Sequence, residues 1–232
     1  MDLSFNNFIY QLTKSPTLIT ITVLILGVIL VNGWTDAPNA IATCVSTRSI
    51  RPKRAILMAA VFNFLGVFFM TLISSTVVQT IYNIANFGEN FSHALIALSA
   101  GLVAIVAWAI IAWAFGIPTS ESHALIAGVS GAAIAIQKGI FGINLNEWTK
   151  VLIGLVLSTL LGFTFGYVIT KIIEKICRKL DRRKTIPVFK KFQIFSGGAM
   201  AFMHGAQDGQ KFIGIFLLGI SLANGITNVR DH

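Results

Sequence analysis

Four stretches of the sequence contain no Asp, Glu, Lys or Arg: residues 15–35, 55–88, 90–120 and 151–170. Each can hold the ~20 apolar residues that a helix needs to cross a bilayer. Helix is the form such stretches must take, because hydrocarbon offers no partner to an open backbone. Charged residues make up only 12% of the 232 residues, against about 25% in a soluble domain. That is too little charge for the surface of a soluble enzyme, and the sequence is too apolar to stay disordered. It therefore specifies an all-α polytopic membrane protein.

A net charge of +9 would suit nucleic acid, but the position of the charges argues against it. Nine of the 18 Lys and Arg fall between Lys171 and Lys191, and Arg48, Arg51, Lys53 and Arg54 form a second short group. Both groups separate apolar segments, where cytoplasmic charge and contact with anionic lipid are expected. Cys44 lies in an apolar stretch and Cys177 at the edge of the basic run, so no disulfide is expected.

Residues 17–31 begin the first span. They read as a mature membrane helix rather than a signal peptide, because no small-x-small cleavage site follows. Gly33 and Pro38 weaken helix continuity before the basic group at Arg48, so 17–47 should cross the membrane with a break inside it. Further spans are expected over 55–82, 93–115 and 151–172, with an external loop over 83–92. A helix should start near Pro118 and run to Gln137 through small residues suited to close packing. A basic loop over 171–191 then precedes a last apolar stretch, from Phe192 to about Asn228, interrupted between His204 and Lys211. Placing Arg48–Arg54 on the cytoplasmic side brings 171–191 to that same side and leaves the N-terminus outside.

Two segments repeat. Gly33-Trp34-Thr35-Asp36 and Gly205-Ala206-Gln207-Asp208 both read G-x-x-D inside apolar sequence, preceded by Asn32 and His204. The first lies on an inward-running segment and the second on an outward-running one. That is the pattern of an inverted-topology repeat, whose sites form near the membrane midplane from discontinuous helices. It divides the protein into a first repeat over 1–170, a basic cytoplasmic loop over 171–191 and the start of a second repeat over 192–232.

A charge at membrane depth costs at least ~2.5–3.5 kcal/mol, so Asp36 and Asp208 should face a cavity, a cation or a partner. Asn39 can join Asp36 around a cation; alternatively Asp36 caps broken backbone. Asp208 and Lys211 are spaced for an i,i+3 ion pair. Alternatively Lys211 gives positive charge to an anion site, with Gln210 as a further donor and acceptor. In Gly116–His123, GIPTSESH, the hydroxyls of Thr119, Ser120 and Ser122 sit beside the free N–H groups of a helix start. That is a ready-made anion site, and equally a capping box answered by Glu121. Glu121 would repel an anion and suits a cation or a proton. His93, His123 and His204 show no metal-ligand spacing and read as structural. Trp108, Trp113 and Trp148 read as lipid-facing or interfacial. No phosphate loop or nucleophile elbow appears, and no enzyme chemistry is expected.

In NGWTDAPNAIATCVSTRSIRPKRA at 32–55, GIPTSESHALIAG at 116–128 and MAFMHGAQDGQKFIGI at 200–215, the sequence resembles the inorganic phosphate transporter (PiT) family of cation-coupled symporters. The resemblance extends over essentially its whole length and is strongest to bacterial members. It implies an inverted-repeat transporter working by alternating access in the bacterial plasma membrane. Each repeat would contribute an Asp-bearing broken helix and a G-x-P-x-S-x-x-H helix start. Carried onto this sequence, it implies phosphate at Thr119, Ser120, Ser122 and Lys211, and a transported Na⁺ or H⁺ at Asp36, Asn39, Asp208 and Gln210. It implies no cofactor and no metal beyond the transported cation. Membrane lipid and a homodimer are the implied partners, and nucleic acid is not.

The family's S-T-T-H reads Ser120-Glu121-Ser122-His123 here, so position 121 is not expected to donate to phosphate. Gly116 follows Asp36 by 80 residues, and the same offset from Asp208 points to about residue 288. The second repeat is therefore expected to be incomplete, with the sequence truncated C-terminally. Two other readings stand beside transport by this protein alone. One is an inactive fragment or a half-transporter needing a second chain. The other is a sulfate transporter, or a cation channel or exchanger. Protonated phosphate carries an O–H donor that can meet a carboxylate and sulfate carries none, which favours phosphate.

Overall fold

The computed structural model describes residues 9–10, 12–13 and 16–225. The first residues of the expected first repeat, 1–8, and the end of the last apolar stretch, 226–232, lie outside the described residues. The first span forms α1 (Pro16–Thr35), a single 3₁₀ turn (Ala37–Ala40) and the short α2 (Ala42–Ser46). The break expected within 17–47 falls at Asp36, between Gly33 and Pro38. Pro38 has no N–H for an i−4 carbonyl, and its ring crowds the turn before it. The backbone tightens instead, with Asn39 N donating to Asp36 O at 3.0 Å and Ile41 N to Pro38 O at 3.1 Å.

The second span opens as α3 (Pro52–Ile73), with proline in the first turn and Arg51 extended at the N-cap. The span expected over 55–82 is built from two helices: Ser74 is extended and a separate α4 (Thr76–Tyr82) follows. Gln210 explains why the break is tolerated: its Nε2 donates to the freed Ser74 carbonyl at 2.6 Å. Beyond lie α5 (Phe91–Ala114), α6 (Glu121–Gln137), α7 (Leu145–Cys177) and α8 (Arg182–Ala223).

Three expectations need correction here. First, α6 starts at Glu121 and not near Pro118. Ser120 is the extended N-cap and its Oγ accepts from His123 N at 3.4 Å. Second, 171–191 is not a loop. Helix α7 runs to Cys177, and Asp181 caps α8 by accepting from Arg183 N at 2.9 Å. The charges there mark solvated helix ends rather than missing helix. Third, α8 runs unbroken through His204–Lys211, so the mirror of the first break is absent. No proline falls in that stretch, and Gly205 is used for packing. A Cβ on Gly205 would collide with the Asn63 backbone of α3, and one on Gly66 of α3 with the Phe202 carbonyl of α8. Small residues that bring backbones together are how helices associate in lipid, where hydrophobic burial gives little drive.

Helices α1, α5, α6 and α8 meet around Ile25, Leu98, Leu102, Val129 and Ile215, all buried. Among the described residues four helical segments are long and apolar enough to cross a membrane: Pro16–Ala40, Pro52–Ile73, Phe91–Ala114 and Leu145–Cys177. Helix α7 buries none of its residues. Trp148, near its start, is nevertheless half-buried and donates to Ser130 Oγ at 3.1 Å, so it is not lipid-facing. The two basic segments share one end of the molecule. Thr47 and Ser49 hydroxyls, beside Arg48, donate to Gln193 Oε1, beside Lys191, at 2.8 and 2.9 Å. Both cysteines are free.

Candidate functional site

The break after α1 turns Asp36 toward α8, and the two G-x-x-D segments meet. Asn32, buried on the last turn of α1, spans them: its Nδ2 lies 3.3 Å from Asp208 Oδ2 and 3.5 Å from Asp36 Oδ2. Asn39 Nδ2 reaches Asp36 Oδ1 at 3.5 Å. The backbone at the N-terminus of α6, at Glu121, lies beside the same carboxylate.

Asp208 divides its two oxygens. Oδ2 faces Asn32 and, at 3.3 Å, His204 Nε2. Oδ1 accepts from Lys211 Nζ at 2.8 Å and from Ser122 Oγ at 3.2 Å, while Lys211 also donates to Ser122 Oγ. The i,i+3 ion pair of Asp208 and Lys211 is thus formed, and α6 adds a hydroxyl to it.

Of the residues singled out from sequence, Asp36, Asn39, Ser122, Asp208 and Lys211 come together. Thr119, Ser120 and Gln210 stand apart. Thr119 Oγ1 accepts from Trp108 Nε1 at 2.9 Å, and the Ser120 hydroxyl is committed to the N-cap. Gln210 lies two residues from Asp208, ~200° around the helix, and binds Ser74.

Four residues read otherwise from sequence, or not singled out at all, belong to the cluster or brace it. Thr35 Oγ1 donates to Glu121 Oε1 at 3.3 Å, and the buried Glu121 Oε2 has no hydrogen-bond partner among the described residues. Asn63 Nδ2 donates to Ala59 O at 2.8 Å, which leaves Asn63 Oδ1 as an acceptor. His204 Nδ1, 2.7 Å away, therefore carries the proton that it donates to Oδ1. In the neutral ring Nε2 then presents a lone pair toward Asp208 Oδ2. That contact is repulsive unless a proton or a cation lies between them. Ligand atoms of Asp36, His204 and Asp208 all fall within 4.8 Å of one another, a spacing that one cation can bridge. The signal in the sequence was the i,i+4 spacing of Asn32 with Asp36 and of His204 with Asp208, which puts each pair on one helix face. A groove of about 730 Å³ reaches the cluster past Pro38, Ile56, Asn63 and His204.

The sequence profile of the Phosphate transporter family matches residues 32–230. A probable low-affinity inorganic phosphate transporter of Bacillus subtilis is 35% identical over 213 residues, 92% of this chain and 62% of that protein. Another from Streptomyces halstedii is 38% identical over 193 residues, 82% of this chain and 88% of that protein. The solved structure of the sodium-dependent phosphate transporter has the same fold, with a TM-score of 0.73 at 20% identity over 94% of this chain and 71% of that one. The chain thus spans less than two-thirds of the length of the Bacillus relative. With its apolar helices, it is a multi-pass plasma-membrane protein of bacterial type, and its relatives are named as transporters and not as enzymes. The chain belongs to the phosphate transporter family.

Proposed function

We propose that this protein carries inorganic phosphate across the membrane together with Na⁺, by alternating access. One observation carries the reading: Asp208 is shared between a carboxylate face, with Asp36, Asn32 and His204, and an ammonium–hydroxyl face, with Lys211 and Ser122. With no cation present, Asp208 neutralises Lys211. A cation between Asp36 and Asp208 replaces Lys211 as the counter-charge of the Asp208 carboxylate and frees Lys211 Nζ and Ser122 Oγ for a phosphate oxygen at the start of α6. Phosphate then binds well only after the cation, which is the coupling that symport requires. The names of the bacterial relatives support phosphate as the substrate, and that of the fold neighbour supports Na⁺. A cation channel or exchanger would leave Lys211 and Ser122 without a task.

The test is uptake of labelled phosphate into liposomes containing the purified protein, with phosphate binding in detergent measured in parallel. The expected result is uptake driven by an inward Na⁺ gradient and indifferent to equimolar sulfate. Sulfate competing as well as phosphate would overturn the choice of substrate. Na⁺-dependent binding without uptake would mean that the protein works only as part of a larger assembly.

A further inference from the structure

Away from the carboxylates, the corner where α2 turns into α3 holds a second cleft. It encloses about 620 Å³ and is lined by Arg48, Ser49, Arg51 and Arg54, with Val45, Ile50 and Ile194 as an apolar wall. No carboxylate lines it, and among the described residues none of the three arginines has an ion pair. Three guanidinium groups around one cleft repel one another, and an oxyanion offsets all three through their forked donors.

The turn that carries them is fixed. Ser49 N and Ile50 N both donate to Cys44 O, at 2.9 and 3.4 Å. The Ser49 and Thr47 hydroxyls hold Gln193 Oε1, and Cys44 Sγ donates to Gln193 O at 3.0 Å. Arg48 itself takes a left-handed backbone, φ 54°, the turn that ends the short α2 just after its C-cap Thr47. The backbone that carries the three exposed arginines is therefore held in place, while their side chains stay free to close on a ligand. The cleft also sits at the first turn of α3, the end of a helix long and apolar enough to cross a membrane, with apolar side chains on one wall.

We infer that this cleft is a phosphoryl-group site, separate from the carboxylate cluster, and that its ligand is the headgroup of an anionic phospholipid. The phosphodiester meets Arg48, Arg51 and Arg54, and the glycerol and first acyl carbons lie on Val45, Ile50 and Ile194. Free phosphate offers the same oxyanion but nothing for the apolar wall. The inference does not depend on the proposed transport.

The test uses the full-length protein in a neutral detergent, titrated with fluorescent phosphatidylglycerol in mixed micelles and followed by anisotropy. Phosphatidylcholine is the zwitterionic control, and labelled inorganic phosphate is the second probe. Arg51→Gln/Arg54→Gln is compared with Arg183→Gln/Lys184→Gln, which removes the same charge from the first turn of α8. Binding of phosphatidylglycerol should weaken on the order of tenfold or more in the cleft pair and less than about threefold in the α8 pair. Arg51→Lys/Arg54→Lys keeps the charge but loses the fork, and should fall between them. Equal losses in the two glutamine pairs would overturn the site in favour of diffuse attraction. No preference over phosphatidylcholine would overturn it too. Inorganic phosphate bound through Arg51 while the lipid is not would overturn the lipid as ligand. Circular dichroism melts confirm that each variant folds before its binding is read.

Discussion

The two G-x-x-D segments carry one pattern in two physical settings. In the first, Gly33 lies exposed near the end of α1, and a Cβ added there would meet nothing within 4 Å. Asp36 follows at the break, half-buried, with Asn39 beyond the turn. In the second, Gly205 is buried against α3 in the middle of an unbroken helix, and Asp208 is 6% exposed and tied to Lys211. The difference comes from the neighbours and not from the motif. Ala-Pro-Asn follows the first aspartate and stops the helix, whereas Gly-Gln-Lys follows the second and lets it continue. The site therefore joins a carboxylate on deformable backbone to one held by a packed helix. A cation bridging them has one ligand that can adjust and one that cannot.

The sharpest way to break this comparison is to treat the two glycines alike. Gly205→Val drives a branched side chain into the Asn63 backbone, and overpacking of this kind costs about 1–3 kcal/mol or more. We expect loss of monodisperse protein, or a large drop in its melting temperature in detergent. Gly33→Ala should instead hold or raise that temperature, since alanine in a helix is favoured over glycine by roughly 0.5–1 kcal/mol. Equal behaviour of the two variants would mean that the segments are not in different settings.

Next come the carboxylates themselves. Asp208→Asn leaves the Lys211 ammonium buried without its partner, and breaking such a pair costs about 3–5 kcal/mol. Adding Lys211→Met should restore much of that stability in thermal melts while uptake stays absent. Asp36→Asn is expected to change stability by less than ~1 kcal/mol, because Asp36 is half-buried at a helix end. Its Na⁺-dependent phosphate binding, read by calorimetry, should still fall about 10- to 100-fold, the worth of one charged ligand. Binding within twofold of the parent would remove Asp36 from the cation site.

Much of this was readable in advance, for identifiable reasons. The spans are set by charge-free length, and the break at Asp36 by Pro38, both of which are local signals. The meeting of Asp36 with Asp208 followed from the repeat. The continuity of α8 did not, because Gly205 means a break only if nothing packs against it, and Asn63 lies far away in sequence. The resemblance puts Gln210 with Asp208 in the cation site, yet helix rotation turns it to Ser74. Ser120 shows the limit of reading a helix start: a hydroxyl there caps or binds, and the choice depends on the backbone angles at that residue. His204 shows no metal spacing to any histidine or cysteine, because its partners are aspartates.

His204 also gives the smallest and most discriminating change, because its counterpart one residue before the first glycine is Asn32. His204→Asn makes the second segment read like the first. An amide at 204 can donate to Asp208 Oδ2, as Asn32 donates to Asp36, and it removes the Nε2 lone pair that faces that oxygen. If Na⁺ is the coupling ion, uptake under a Na⁺ gradient should persist, with half-saturation for Na⁺ weakened roughly two- to tenfold, the value of one hydrogen bond. If the imidazole instead carries a coupling proton, the variant folds and binds phosphate but loses uptake driven by a pH gradient. Because asparagine is the residue the protein already uses on the other side of the site, lost activity here would report lost proton chemistry rather than a misplaced Asp208.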